Sequence, residues 1–249
     1  MINNCGNCFL SIVIPTYNEA DRILATLESV VAFLRLQTYR WEVIVVDDGS
    51  LDKTPSIVSH WVEENILEGE SCRVILVDHE GKGSAVKVGM LAASGTYRLM
   101  CDADLAVSAE QIGNFVRSIE RGNYDIVIGS RQIEGAQRFY DAPLRYFMGR
   151  LFNWYVRVIA VSGFQDTQCG YKCFTEESVE YLFQNQRIKG WGFDVEILFL
   201  AAKKNMTILE MPVSWRHVEK SKVQIHKASL EMARDTLLVR LRYLFGRYK

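Results

Sequence analysis

The sequence is short of several things that would each point to a particular class of protein. Its 249 residues include only four prolines, and no stretch concentrates proline or serine, so no linker divides the chain. No segment reaches the roughly 18 uncharged apolar residues that a membrane-spanning helix needs. The nearest, Leu151–Phe164, is interrupted by Arg157. The 29 Lys and Arg against 30 Asp and Glu give a net charge of −1, which removes the global basic field expected of a nucleic-acid binder. Six scattered cysteines are too few for the disulfide framework of a small secreted protein, and a reduced, cytoplasmic setting is expected. Cys5 and Cys8 form a C-x-x-C, but no second ligand pair at zinc spacing follows. The opening MINNCGNCFL lacks the charged and apolar regions of a signal peptide. Also missing are G-x-G-x-x-G after the first strand and G-x-x-x-x-G-K-[ST], and with them a dinucleotide fingerprint and a P-loop.

What is present is an ordinary globular composition, 49% hydrophobic and 24% charged, enough for one domain with a full core. Short Val/Ile runs alternate with helical patterns. Strands are expected at Leu10–Pro15, Trp41–Asp47, Arg73–Val77, Tyr97–Asp102 and Asp125–Ser130, with a further one at Met206–Pro212. Helices are expected at Glu19–Leu36, Thr54–Asn65, Gly83–Ala93 and Ala109–Arg121. Apolar runs separated by helices imply an α/β fold with a mostly parallel sheet covered on both faces. Two later stretches, Asp141–Val161 and Ala228–Arg247, alternate Arg with aromatic and aliphatic residues. They suit either an ordinary helix packed on the sheet or a helix lying on a membrane surface.

In an open sheet of this kind ligands bind beyond the carboxyl ends of the strands. The polar residues of this chain gather there: PTYNE (15–19), DDGS (47–50), HEGKGSA (79–85), DAD (102–104) and GSR (129–131). Asn18 and Ser50 fit helix caps, and Gly49 fits a turn. Five such clusters on one rim point to a site. Asp102 and Asp104 are the sharpest part of it. Residues i and i+2 of a strand point the same way, so the two carboxylates can converge on one hard cation, Mg²⁺ or Mn²⁺. The Gly81-Lys82-Gly83 turn can bring a lysine and exposed amides toward a phosphate.

Taken in order, PTYNE, VVDDGS, GKG, DAD and GSR resemble the inverting family-two glycosyltransferases of GT-A fold. DTQCGYK (166–172), GWGFDVEIL (190–198), W-x-x-x-x-x-SK (215–222) and LLVRLRYL near the C-terminus are similar to the dolichyl-phosphate β-glucosyltransferase branch. The likeness runs from Ser11 to about Gly246. It implies a single GT-A domain over residues 1–249, with a nucleotide-sugar half at about 10–131 and an acceptor half at about 132–249. Two departures stand out. Ala106 occupies a position where related mannose synthases carry a further polar metal-site ligand, and the N-terminal anchor of eukaryotic members has no counterpart here. A bacterial polyprenyl phosphate is therefore as suitable an acceptor as dolichyl phosphate.

The resemblance implies transfer of glucose from UDP-glucose to a lipid phosphate with inversion, by a protein peripheral to the cytoplasmic face of a membrane. Asp104, with Asp102, holds Mg²⁺ or Mn²⁺ against the diphosphate. Pro15, Tyr17 and Glu19 border the nucleotide, Asp48 bonds uracil or ribose, and Lys82 approaches the nucleotide side. The acceptor phosphate is largely dianionic at neutral pH, so it needs positioning more than a base. Arg131 is the first candidate for that task, followed by Arg138, Arg145 and Lys222. Asp166 is expected as a base or an orienting group near the sugar, and Asp194 as a partner of a sugar hydroxyl or a loop. Other readings are a GDP-mannose donor, a soluble acceptor, and a nucleotide-sugar-binding protein without turnover. The oligomeric state stays open, a homo-oligomer included.

Overall fold

The computed structural model describes residues 8–139, 143–216 and 225–248, the side chains of 143–148 and 225–228 excepted. Its strands are β1 (Leu10–Thr16), β2 (Trp41–Asp48), β3 (Ser71–Val77), β4 (Tyr97–Met100), β5 (Ile126–Ser130), β6 (Gln137–Phe139), β7 (Lys172–Thr175), β8 (Ile208–Pro212) and β9 (Ser214–Arg216). Helices α1 (Ile23–Arg35), α2 (Thr54–Asn65), α3 (Lys82–Ala92), α4 (Ile112–Gly122), α5 (Pro143–Ile159), α6 (Glu176–Asn185), α7 (Phe193–Lys203) and α8 (Ile225–Leu244) connect and cover them. Seven strands form one sheet in the order β3-β2-β1-β4-β7-β5-β8, and β6 pairs with β9 in a small second sheet.

The main sheet is parallel except for β7, which runs antiparallel to both β4 and β5. The apolar runs that mark β1 and β2 are buried on both faces. Ile12, Ile14, Val43 and Val45 pack with α1, α2 and α4, while Val13, Ile44 and Val46 pack with α3, α6 and α7. That is the period-two alternation of a strand sandwiched between two helical layers. Helix α7 buries residues 193–201 without a break, which explains why FDVEILFLA shows no polar face.

Three differences from the sequence reading have local causes. Helix α1 begins at Ile23 rather than Glu19, because residues 17–22 turn through Asn18 at φ +55°. Strand β4 stops at Met100, so both aspartates lie in the loop that follows it. Strand β7 is absent from the sequence expectations: it starts at the last residue of DTQCGYK and runs on through CFT. It is four residues long and opens on Lys172, a buried lysine that interrupts the apolar pattern. No helix among the described residues is long and apolar enough to cross a membrane.

Candidate active site

The first two strand ends are locked to each other. The Asn18 side-chain oxygen accepts from the amides of Leu51 and Asp52, at 2.7 and 3.2 Å, and the Asn18 amide donates to Ser50 Oγ at 2.8 Å. Ser50 in turn donates to Asp47. Asn18 and Ser50 therefore knit the rim together rather than capping helices. Tyr17 leaves this turn with its ring stacked on His79, centroids 4.1 Å apart and planes 17° from parallel. Pro15 stays buried in β1, and Glu19 is engaged by the guanidinium of Arg22.

Asp48, expected to contact uracil or ribose, is engaged within the chain by the 79–81 turn. Its Oδ1 accepts from the amides of Glu80 and Gly81, and its Oδ2 meets Gly81 N and His79 Nδ1. The carboxylate is consumed in shaping the 79–81 turn. The glycines beside Lys82 also have a packing role. Gly81 sits at φ +119°, and a Cβ there would lie 2.7 Å from the Lys189 carbonyl. One on Gly83 would lie 2.8 Å from the Ile188 carbonyl. The Gly-Lys-Gly turn thus admits the 188–190 backbone against the start of α3, and the Ser84 amide donates to Lys189 O. The same approach brings Trp191 to Lys82, whose ammonium lies 5.2 Å from the ring centroid.

Lys82 Nζ reaches Asp102 Oδ1 at 2.6 Å. Burial acts to raise the Asp102 pKa, but the Lys82 charge and hydrogen bond outweigh it and hold the carboxyl below its ordinary value. Asp104 has less support. Burial and the neighbouring Asp102 charge raise its pKa, against a single hydrogen bond from the Ala106 amide at 3.0 Å. The loop itself is fixed from outside. Thr26 of α1 donates to Ala103 O at 2.6 Å, and Leu105 is held in the left-handed region at φ +49°. Beyond it, Val107 bridges to Trp215 and the Ala106 carbonyl accepts from Arg216 N. Gly170 makes room for the site: a Cβ there would overlap Asp102 Oδ2 at 1.7 Å.

Two carboxylates two residues apart, one of them raised by its neighbour, form a donor set suited to a hard divalent cation completed by phosphate oxygens. Asp102 and Asp104 are the residues that would hold it. No cluster of three or more His, Cys, Asp or Glu ligands occurs among the described residues, so a cation here would need ligands from a substrate or water.

Across a cleft of about 40 Å³ from Asp102 stands Arg131, with Gln168, Gly170, Tyr171 and Trp215 on the walls. Asp166 grips Arg131 by three contacts: Nε to Oδ2 at 2.7 Å, Nη2 to Oδ1 at 2.9 Å and the backbone amide to Oδ2 at 3.0 Å. Burial opposes ionisation of Asp166, but Arg131 overrides it and sets the carboxyl at about 2. Of the two expectations for Asp166, base or orienting group, this geometry supports orientation, since a fully buried carboxylate so paired does not collect a proton. Arg131 and Arg138 lie 5.8 and 5.7 Å from the Trp215 ring centroid. Arg145 is in α5 with its side chain outside the described atoms, and Lys222 lies outside the described residues altogether.

Beneath the cleft, Asp194 at the start of α7 meets Lys172 Nζ at 2.5 Å, and Lys172 also donates to Cys169 O. Lys82, Asp102, Lys172 and Asp194 form an alternating charge cluster, buried at Lys172 and Asp194 and half-buried at Lys82 and Asp102. Asp194 is thus a partner of β7 rather than an open ligand. Two contributors were absent from the sequence reading: Arg22, whose charge bears on Asp104, and Lys172. The only sequence signal for Lys172 was a lysine placed just before CFT, inside an otherwise apolar stretch.

Residues 11–178 match the glycosyl transferase family 2 profile. The chain is similar to the dolichyl-phosphate β-glucosyltransferase of Dictyostelium discoideum, 35% identical across 99% of this chain and 78% of that one. It is similar as well to those of Saccharomyces cerevisiae (36%; 97% and 77%) and Homo sapiens (34%; 96% and 77%). In fold it is similar to glucosyl-3-phosphoglycerate synthase from Mycobacterium tuberculosis, solved with UDP, at a TM-score of 0.70 and 19% identity over 94% of this chain and 80% of that one. The same enzyme solved with Mn²⁺, UDP-glucose and phosphoglyceric acid also gives 0.70, at 17% identity and the same coverage. With its parallel sheet, its paired aspartates beyond β4 and these relatives along nearly its whole length, the chain is a glycosyltransferase and belongs to glycosyltransferase family 2.

Proposed function

We propose that the protein transfers glucose from UDP-glucose to a dolichyl or other polyprenyl phosphate, inverting the anomeric centre to give a β-glucosyl phosphate lipid. The observation that carries this reading is the opposition of Asp102, the inner member of the Asp102–Asp104 pair, and the Asp166-braced Arg131 across one cleft, in a chain whose relatives bear the name dolichyl-phosphate β-glucosyltransferase. Asp102 and Asp104 are the residues to hold Mg²⁺ or Mn²⁺. When bound, the cation supplies charge neutralisation for the departing diphosphate.

The remaining work belongs to side chains. Lys82 adds a positive charge beside Asp102, on the nucleotide side. Arg131 draws the acceptor phosphate toward the sugar, and Asp166 keeps its guanidinium aimed there. A phosphate oxygen forms the new bond to the anomeric carbon as the bond to the diphosphate breaks. The acceptor arrives already ionised, because a phosphate monoester has its second pKa near about 6, so no residue need remove a proton.

A lipid acceptor asks for a membrane-facing surface, and α5 with α8 can provide it. Leu151, Trp154 and Val158 are about half exposed on α5. Leu230, Leu237, Leu241 and Leu244 form an exposed stripe on α8, with Arg234 and Arg240 alongside. The two helices are joined by Tyr155 Oη donating to Ala233 O and by Arg240 donating to Ile159 O. Such an apolar stripe edged by arginine suits the headgroup boundary of an anionic bilayer.

The test is transfer of radiolabelled glucose from UDP-glucose into organic-extractable lipid. It uses polyprenyl phosphate, detergent and Mg²⁺ or Mn²⁺, with D104N and EDTA as controls. Label in the lipid phase, lost in both controls, supports the reading. Label only from GDP-mannose overturns the donor. UDP-glucose hydrolysis with no lipid label overturns the acceptor.

A further inference from the structure

We propose that His79 is the nucleobase-reading residue of the donor site, accepting the imide N3–H of uracil on its Nε2. This rests on the UDP-glucose reading above and sharpens it. A neutral imidazole carries one N–H and one acceptor nitrogen, and its neighbours decide which is which. His79 Nδ1 faces two acceptors, Asp48 Oδ2 at 2.8 Å and the Asp48 carbonyl at 3.0 Å. In the neutral ring the proton therefore sits on Nδ1, which leaves the Nε2 lone pair as the group the ring can offer.

That lone pair is presented rather than spent. Nε2 has no partner among the described residues, and the side chain is 54% exposed at the carboxyl ends of β1 and β2. In open α/β sheets this crevice is where ligands bind. The ring cannot easily turn away. Tyr17 stacks on one face, and Asp48 is itself pinned by the amides of Glu80 and Gly81. The 49 and 79 turns interlock too: Gly49 is at φ +70°, and a Cβ there would lie 2.8 Å from His79 N. The result is one acceptor, fixed in direction, beside an aromatic floor.

The chemistry of that acceptor selects among bases. Uracil presents a single ring donor, N3–H, flanked by two carbonyls, and one neutral acceptor answers it. Cytosine carries a lone pair at N3 and would oppose Nε2. Guanine presents two adjacent donors, N1–H and the 2-amino group, and would leave one without a partner. The contact that the sequence assigns to Asp48 is in this way passed outward to His79, with Asp48 acting as the residue that orients it.

The experiment is equilibrium binding of UDP and of N3-methyl-UDP to the full chain by calorimetry in the presence of Mn²⁺, repeated with H79A and H79Q. The wild-type protein is expected to bind UDP roughly five- to tenfold more tightly than N3-methyl-UDP, the range for one hydrogen bond. In H79A the ratio should collapse toward one, chiefly through weaker UDP binding. Such a loss of coupling would not follow from a merely structural role. H79Q, whose amide can donate to Asp48 while its carbonyl accepts, should retain part of the discrimination and covers the case in which H79A does not fold. Equal binding of the two nucleotides by the wild type overturns the proposal alone, as does undiminished discrimination in H79A. Binding of GDP with none of UDP overturns both the proposal and the UDP-glucose reading beneath it.

Discussion

At the amino end of β2, Glu42 is buried, and its Oε1 accepts from Ser11 Oγ at 2.7 Å, Ser94 N at 2.6 Å and Ser94 Oγ at 2.7 Å. At the carboxyl side of the sheet, Asp104 has one amide donor and a like-charged neighbour. Burial pushes up the pKa of both. For Glu42 the surrounding donors and Arg73 overcome that and bring it below its ordinary value. For Asp104 the Asp102 charge adds to the push, and the pKa stays raised. One end spends its hydrogen bonds on closing a carboxylate into the fold. The other leaves a carboxylate whose burial and like-charged neighbour are not offset by one amide and the charges of Arg22 and Lys82. The difference is the one expected between a structural acid and the ligand-binding acid proposed for Asp104.

The largest expected effect breaks the comparison at its functional end. D104N should lower sugar transfer by roughly 10²–10³-fold, the usual scale for losing an electrostatic group at a reacting centre. Its melting temperature should be no lower than that of the wild type, because a neutral amide relieves repulsion with Asp102. An initial-rate assay alongside a thermal melt checks both halves. A large loss of stability would mean that Asp104, like Glu42, serves the fold.

Next comes the pair that serves both purposes. D166N leaves Arg131 partly buried without its counter-charge and should cost about 3 kcal/mol of stability, measured by chemical denaturation. Transfer should fall with it. The same pair sets a pH dependence. Asp166 is held at about 2 in the folded protein, below the ordinary 3.8. The stability it contributes is therefore complete above the unfolded value and is lost as pH falls from about 4 toward 2. Melting temperatures across that window should drop more steeply in the wild type than in D166N.

E42Q makes the smaller, purely structural break. It should cost about 1–2 kcal/mol through weakened charge-assisted hydrogen bonds, with kcat/KM for transfer unchanged. The smallest effect concerns α8. L237S and L241S should each reduce retention on anionic vesicles roughly fivefold, about 1 kcal/mol of partial burial each, while the melting temperature stays put. Co-sedimentation with vesicles measures the first and a thermal melt the second.

How much of this was legible beforehand differs from residue to residue. The Val/Ile runs of β1, β2 and β5 are self-announcing, because a strand buried on both faces has no polar positions to confuse its pattern. The place of Asp102 and Asp104 on the rim was equally readable, since they close an apolar run. Asp48 was legible as a residue of the rim, but its partners within the chain were not. Which way a carboxylate turns depends on the 79–81 amides, some thirty residues away, and no local pattern contains them. Asp166 was open between two roles for the same reason, until the backbone brought Arg131 to it.

The sequence by itself determined the alternation of strands and helices, the rim on which the polar clusters gather, and the family. These depend on spacing along the chain, which is a local property. Tertiary structure alone decided the insertion of β7 between β4 and β5, the burial of Lys172 against Asp194, and the partners of Asp48 and Asp166. Each of these is a pairing of charges or strands distant in sequence. Its free energy depends on what surrounds a group once water has been excluded, and that is set only when the whole sheet has closed.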